Sequence, residues 1–214
     1  TLDYVKSLKQ QARDIDVETA RILNNFISYD IEELDATEDL EEEDLFNITS
    51  DDLKIKGAMT VSAWVYNEKT NAERTGWGLP ISTYTWRNAG EKGNHRGWTF
   101  GDDYGTADEF YFRVWDGNKK SATASKKNVF AQFEGEWVHV VGVFNPGAHV
   151  RLYIDGEIVA SDATDVPAEI VYGEPLRTLR IGARADGENQ GKWKGRIDDV
   201  RIYDYALSAE EITD

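Results

Sequence analysis

The chain of 214 residues has a formal net charge of −16, with 40 Asp and Glu against 24 Lys and Arg, and it contains no cysteine. Without cysteine there can be no disulfide, no cysteine-ligated zinc and no thiol catalysis. The acidity disfavours nucleic acid, because phosphate contacts need clustered basic side chains, but it suits divalent cations and neutral ligands. No apolar run reaches the about 18 residues that would predict a membrane span.

Residues 1–27 are predicted to form an N-terminal α-helix. Apolar side chains recur there at roughly helical spacing, and neither Pro nor Gly interrupts the pattern. The apolar stripe of such a helix must be covered. It packs on the domain that follows, docks on another subunit, which would make the protein a homo-oligomer, or is the cut end of a stalk.

Residues 28–52 are predicted to be an acidic connector. The density of Asp and Glu makes this segment repel itself and remain solvated. Within it, Glu33 to Glu38 faintly resembles the E-x-D-x-x-E pattern of laminarinase-type glycoside hydrolases. We reject that interpretation, because those enzymes place the motif on a strand lined with apolar residues, whereas this one lies in a charge run.

Residues 53–214 are predicted to form a β domain. Residues 59–66 alternate apolar with other side chains, as half-buried strands do. Residues 109–115 alternate as well, with Phe110, Phe112 and Val114 on one phase. The other phase, opposite the core, carries Glu109, Tyr111, Arg113 and Trp115.

Residues 77–115 are rich in aromatic side chains. Sugar rings stack on flat aromatic rings while polar neighbours bond their hydroxyls. Packing within the core and loops is the alternative explanation for any single tryptophan. The predicted ligand-binding candidates are Trp77, Trp86, Trp98, Tyr111, Arg113 and Trp115.

Residues 136–159 are predicted to form a meander of three antiparallel strands. Asn145 to Gly147 is a turn signal between the first two strands. Asp155 and Gly156 predict a tight hairpin in which both central residues have positive φ. His139 lies on the phase of Trp137 and Val141, and it is interpreted as a packing histidine.

The last strand carries a candidate metal ligand. Asp198 shares a phase with Val200 and Ile202, so it is predicted to point where apolar side chains point. A carboxylate in that position needs a partner, which could be a calcium ion or an arginine. Further on, Ser208 and Glu211 predict a capping box for a final helical turn.

Several segments, GEWVHVVGVF, RLYIDGEIVA, LRIGA and GRIDDVRIYDYALSAEEI, resemble those of concanavalin A-like, laminin-G-like domains over about residues 53–212. The resemblance implies an all-β fold, an antiparallel two-sheet jelly-roll sandwich. It also implies a glycan-binding or adhesive module, often with structural calcium, and Asp198 matches the metal position. The Gly- and Asp-rich segment that usually opens such domains is missing.

The sequence shows no convincing catalytic constellation. Its three histidines are scattered, and neither a nucleophile elbow nor a zinc-binding histidine pair is present. The predicted function is therefore a non-catalytic extracellular carbohydrate-binding or adhesion module. One alternative is a structural subunit of a surface assembly that uses the N-terminal helix. Another is a glycan-cleaving enzyme whose carboxylates converge only in space.

Overall fold

The architecture was obtained from a computed structural model. It describes residues 46–48, 53–68, 77–88, 91–103, 109–118, 120–133, 135–173, 179–183 and 191–213. The predicted helix over residues 1–27 and the acidic pattern at residues 33–38 lie outside these described residues.

Short strands dominate the described chain, as its period-two patterns predict. In chain order the elements are β1 (Phe46–Ile48), β2 (Met59–Asn67), β3 (Trp77–Gly78), β4 (Ile81–Ser82), β5 (Thr85–Asn88), β6 (Glu91–Asp103), β7 (Glu109–Asp116), β8 (Ser121–Lys127), α1 (Val129–Gln132), β9 (Trp137–Asn145), β10 (His149–Ile154), β11 (Glu157–Asp162), β12 (Leu179–Ile181), β13 (Gly195–Tyr203) and α2 (Ala209–Thr213).

The strands form two antiparallel sheets. Among the described residues, the larger sheet has eight strands in the order β1-β12-β4-β6-β7-β8, with β3 and β5 also pairing with β6. The smaller sheet has five, in the order β11-β10-β9-β2-β13. The predicted all-β two-sheet sandwich is thus confirmed. Its first strand, β1, lies within the predicted connector and pairs with β12.

The core lies between the sheets because each strand buries one of its two phases. Phe100, Phe110 and Phe112 of the larger sheet are fully buried, as are Val140 and Leu152 of the smaller one. Helix α1 closes one side of this core, since the Phe130 ring packs edge-on against Phe110 at 5.2 Å between centroids.

The predicted meander is also confirmed. β9 pairs with β10 and β10 with β11, in both cases antiparallel. Asp155 and Gly156 have φ angles of 48° and 81°, so both central residues of the hairpin adopt the left-handed conformation that a two-residue turn requires. The Asp155 carboxylate also accepts the backbone N–H of His139 at 2.9 Å, which fastens the turn to β9.

The C-terminal segment packs on the outer face of the smaller sheet. Ile212 of α2 joins Val141, Val143 and Tyr153 in a small apolar cluster. The predicted capping box is present, because the Ser208 N–H donates to Glu211 at 2.8 Å and the Glu211 N–H donates to the Ser208 hydroxyl at 3.3 Å. Among the described residues, the C-terminal segment therefore covers the part of this outer face around Val141, Val143 and Tyr153.

Candidate functional site

Strand β7 places its two phases on opposite sides of the larger sheet. Phe110, Phe112 and Val114 are fully buried in the core. Glu109, Tyr111, Arg113 and Trp115 face outward, and the first three of these are partly exposed. The predicted division of this strand into a core face and an outer face is therefore what the structure shows.

Trp115 does not offer its ring to solvent. Its exposed fraction is 6%, because the Tyr84 ring lies 4.5 Å away and the His95 ring 6.0 Å away, centroid to centroid. Tyr84 and His95 are themselves joined by a 2.7 Å hydrogen bond between Oη and Nδ1. The prediction of Trp115 as a stacking surface is corrected by this cluster, since the chain's own rings cover the indole.

Trp98 is buried as well, with 1% of its surface exposed. It lies 6.3 Å from Phe112 between ring centroids, inside the sandwich. No ligand can stack on it there, so the prediction of Trp98 as a binding residue is also corrected. The backbones of Trp77 and Trp86 lie in β3 and β5, but their side chains fall outside what the structure describes.

Arg113 is held between aromatic rings on the outer face of the larger sheet. Its guanidinium carbon lies 4.6 Å from the Tyr111 ring centroid and 5.8 Å from that of Trp115. Its Nε–H donates to the Thr123 hydroxyl of the adjacent strand at 2.7 Å. The side chain is thus fixed in place while remaining partly exposed.

Four neighbouring aromatic side chains on the outer face of the smaller sheet form a group that we call the aromatic platform. It consists of Trp64, Tyr66, Trp137 and His139. Backbone register places Trp64 opposite His139 and Tyr66 opposite Trp137. The corresponding ring centroids are 5.2 Å and 5.5 Å apart. Exposed fractions of 39% for Trp64 and 36% for Trp137 make this the part of the described surface where indole rings meet solvent.

Polar groups border the aromatic platform on β13. The Arg196 guanidinium carbon lies 5.2 Å from the Tyr66 ring centroid, and its Nε–H donates to Glu68 at 2.7 Å. Asp198 lies opposite Trp64 in the register of the two strands. The aromatic platform therefore combines flat apolar rings with charged and hydrogen-bonding groups at its border, a combination that is common in ligand-binding sites.

Asp198 does not point into the core as predicted, because β13 contains a bulge. The register with β2 shifts between Asp198 and Arg201, and Asp199 has a φ of 45°. The extra residue inverts the phase, so that Ile197 and Val200 are both buried while Asp198 is only partly buried.

The Asp198 carboxylate has a hydrogen-bond donor within the chain. It accepts the Asp199 N–H at 2.7 Å. Over the described residues, no three His, Asp or Glu side chains are grouped so that they could hold a metal ion. Calcium binding therefore stays a prediction from the sequence.

Burial of His139 against Trp64 lowers its pKa below the ordinary value of 6.5, although Asp155 and Asp199 act in the opposite direction. A histidine whose pKa falls on folding takes up its proton more readily in the unfolded chain. The free energy of unfolding is therefore not reduced by His139 at pH values above 6.5. It decreases as the pH falls from 6.5 towards the lower pKa of His139 in the folded state.

We expect H139Q to reduce the loss of stability between pH 7.5 and pH 5. The measurement is urea unfolding of both proteins at each pH, comparing the change with pH rather than the absolute stability. Burial also lowers the pKa of His149. The H149Q variant should therefore remove a separate part of the pH dependence of the free energy of unfolding. An H139Q protein that loses as much stability as the parent would contradict the assignment.

The two antiparallel sheets define the class of the protein, which is a β-sandwich. The Laminin_G_3 family model, described as the concanavalin A-like lectin/glucanases superfamily, matches residues 40–213. The chain therefore belongs to this superfamily.

Solved structures with a similar fold include binding domains of botulinum neurotoxins. They include the botulinum neurotoxin serotype D binding domain (19% identity, TM-score 0.56) and the receptor binding domain of botulinum neurotoxin D (20%, 0.56). A third is the serotype D ligand binding domain in complex with N-acetylneuraminic acid (17%, 0.51). Each match covers 79% of this chain and 38% to 39% of the other chain.

A search of curated proteins found no match. In the described part of the chain, no helix is both long and apolar enough to span a membrane.

Proposed function

We propose that this chain is a non-catalytic carbohydrate-binding module that holds glycans on the aromatic platform. The observation that carries the proposal is the exposure of Trp64 and Trp137 on one sheet face, at 39% and 36%. Large aromatic side chains grouped on a surface are a sign of a binding site, because water solvates their faces poorly.

The chemistry of the aromatic platform fits a sugar. The C–H face of a pyranose ring can stack on an indole ring, while the groups of Arg196 and Asp198 at the edge can bond its hydroxyls. A neutral glycan also avoids repulsion from a chain with a net charge of −16.

The superfamily and the solved structures support a carbohydrate partner in general, without deciding whether it is neutral or acidic. Lectins give the superfamily part of its name, and a serotype D ligand binding domain of the same fold was solved with N-acetylneuraminic acid. We further propose that the module works outside the cell or at its surface, where receptor-binding domains meet glycans. The proposal gives no residue a catalytic role.

The test is glycan binding by W64A and W137A. After a glycan array and a panel of insoluble polysaccharides identify a ligand, calorimetry should show about a tenfold loss of affinity for each variant, since tenfold corresponds to about 1.4 kcal/mol. The double variant should lose about a hundredfold. The rings are partly exposed, so the melting temperatures should remain close to that of the parent.

Tyr205 supplies the matched control. It is another exposed aromatic, at 42%, but it lies outside the aromatic platform on the C-terminal segment. We expect Y205A to bind as the parent does. If Y205A loses as much affinity as W137A, or if the double tryptophan variant binds normally, the aromatic platform is not the glycan site.

A further inference from the structure

Within the part of the chain that the structure describes, Arg113 is a cation without a charged partner, although the protein is strongly acidic. Arg196 and Arg201, on the smaller sheet, pair with Glu68 and Asp199 at 2.7 Å and 2.6 Å. Throughout the described residues, by contrast, no carboxylate pairs with Arg113 and no acceptor takes a hydrogen bond from its terminal nitrogens. Glu109 and Asp116 lie on the same strand, so among the described residues this isolation reflects placement rather than a shortage of acidic side chains.

The guanidinium is oriented before any ligand arrives. The Thr123 hydroxyl holds Nε, and the Tyr111 and Trp115 rings lie on either side along β7. Two terminal nitrogens in a fixed plane match the two oxygens of a carboxylate, and such a bidentate pair is stronger than a neutral hydrogen bond. Fixing the side chain beforehand also lowers the entropic cost of binding.

The groups around Arg113 are those that would contact a sugar ring. Tyr84 and Tyr111 are partly exposed rings on the same outer face, and Ser125 lies opposite Tyr111 on β8. The Ser125 hydroxyl is itself held by Glu109 at 2.5 Å. A carboxylate attached to a pyranose could therefore meet the guanidinium while its ring contacts an aromatic face.

We propose that the outer face of the larger sheet is a second binding site, at which Arg113 binds the carboxylate of an acidic sugar. This site lies on the opposite side of the sandwich from the aromatic platform. The inference rests on the proposed function only for the sugar class of the ligand. The requirement for a carboxylate rests on Arg113 itself.

Methyl β-D-glucuronide and methyl β-D-glucoside are suitable probes, because they differ at a single carbon that is either a carboxylate or a hydroxymethyl group. In NMR titrations of the whole chain, the glucuronide should bind about tenfold more tightly than the glucoside, as expected for a bidentate ionic pair. R113Q should remove this difference. R113K keeps the charge but loses the planar pair of donors, so it should retain only part of it.

Two further variants separate this site from the aromatic platform. R201Q removes an arginine that already has a carboxylate partner, and it should leave the preference for the glucuronide unchanged. The double variant W64A/W137A should leave it unchanged as well, so a failure of the aromatic platform proposal would not affect this test.

Equal binding of the two probes by the parent protein would overturn the inference. So would an R113Q protein that keeps its preference for the glucuronide. If R113Q fails to fold, R113K provides the test. An R113K protein with an undiminished preference for the glucuronide would show that the two terminal nitrogens of Arg113 do not bind the carboxylate as a bidentate pair, which would overturn the inference.

Discussion

Replacing Gly142 with valine should lower the free energy of unfolding by about 3 kcal/mol, because overpacking a dense core costs up to about this amount. Gly142 lies on the inward phase of β9, and the Phe112 ring of the opposite sheet occupies the space a side chain would need. A Cβ at Gly142 would lie 2.5 Å from Cδ2 and 2.7 Å from Cδ1 of Phe112. The two sheets would have to separate, or the Phe112 ring would have to leave its position.

Thermal and urea unfolding measure this effect, and a chain of this size should lose about 6 to 12 °C in Tm. G57V is the matched control, because Gly57 is exposed and a Cβ there would meet nothing within 4 Å. The double variant G142V/F112L should recover part of the loss, since a smaller side chain makes room for the valine. A G142V protein as stable as the parent would mean that the sheets do not pack closely at this position.

Gly195→Ala is expected to have a comparable effect, about 3 kcal/mol, for a different reason. Gly195 begins β13 opposite Asn67 of β2, and a Cβ at this position would overlap the Tyr66 carbonyl oxygen and lie 3.0 Å from Nε1 of Trp193. Overlap with backbone cannot be relieved by turning a side chain. β13 would have to move away from β2 along the side that carries Tyr66 of the aromatic platform.

Hydrogen exchange locates this change as well as measuring it. In G195A, amides of β13 and of its partner β2 should lose protection first, while the β9–β10 hairpin should retain more of it. G57A is the control for the added methyl group. Parent-like protection throughout β13 would show that the strand tolerates a side chain at Gly195.

Local patterns were enough to predict much of the sandwich. Alternation predicted the strands of the meander, and the Asp155-Gly156 pair predicted its hairpin, because a tight turn depends only on neighbouring residues. The two phases of β7 were predicted for the same reason. Each of these features is determined within about ten residues of sequence.

The incorrect predictions concern packing between distant segments. The alternation in β13 predicted that Asp198 points into the core, but a single bulge between Asp198 and Arg201 inverts the alternation. The spacing of apolar residues does not predict where a bulge occurs. Trp115 was on the correct face, yet Tyr84 and His95 come from other parts of the sheet to cover it. Whether an outward ring is exposed depends on neighbours that alternation cannot identify.

The aromatic platform was missed for a related reason. Trp64 and Trp137 each stood out on the outward phase of a strand, but they are more than seventy residues apart. Only the pairing of β2 with β9 places Tyr66 beside Trp137 and Trp64 beside His139. Two aromatic residues at alternate positions on each of two strands indicate a possible binding surface. The surface can be recognised only when the register shows that the two strands are neighbours and bring these residues together.

The back-to-back arrangement of the two sheets limits how ligands can share the molecule. The aromatic platform and Arg113 lie on opposite outer surfaces, so a single short oligosaccharide cannot reach both without passing around an edge strand. If both proposed sites bind glycans, two separate polysaccharide chains can be held at once, one on each side. A single copy would then serve as a cross-link, and its effective strength on a dense glycan layer would be set by avidity rather than by either site alone.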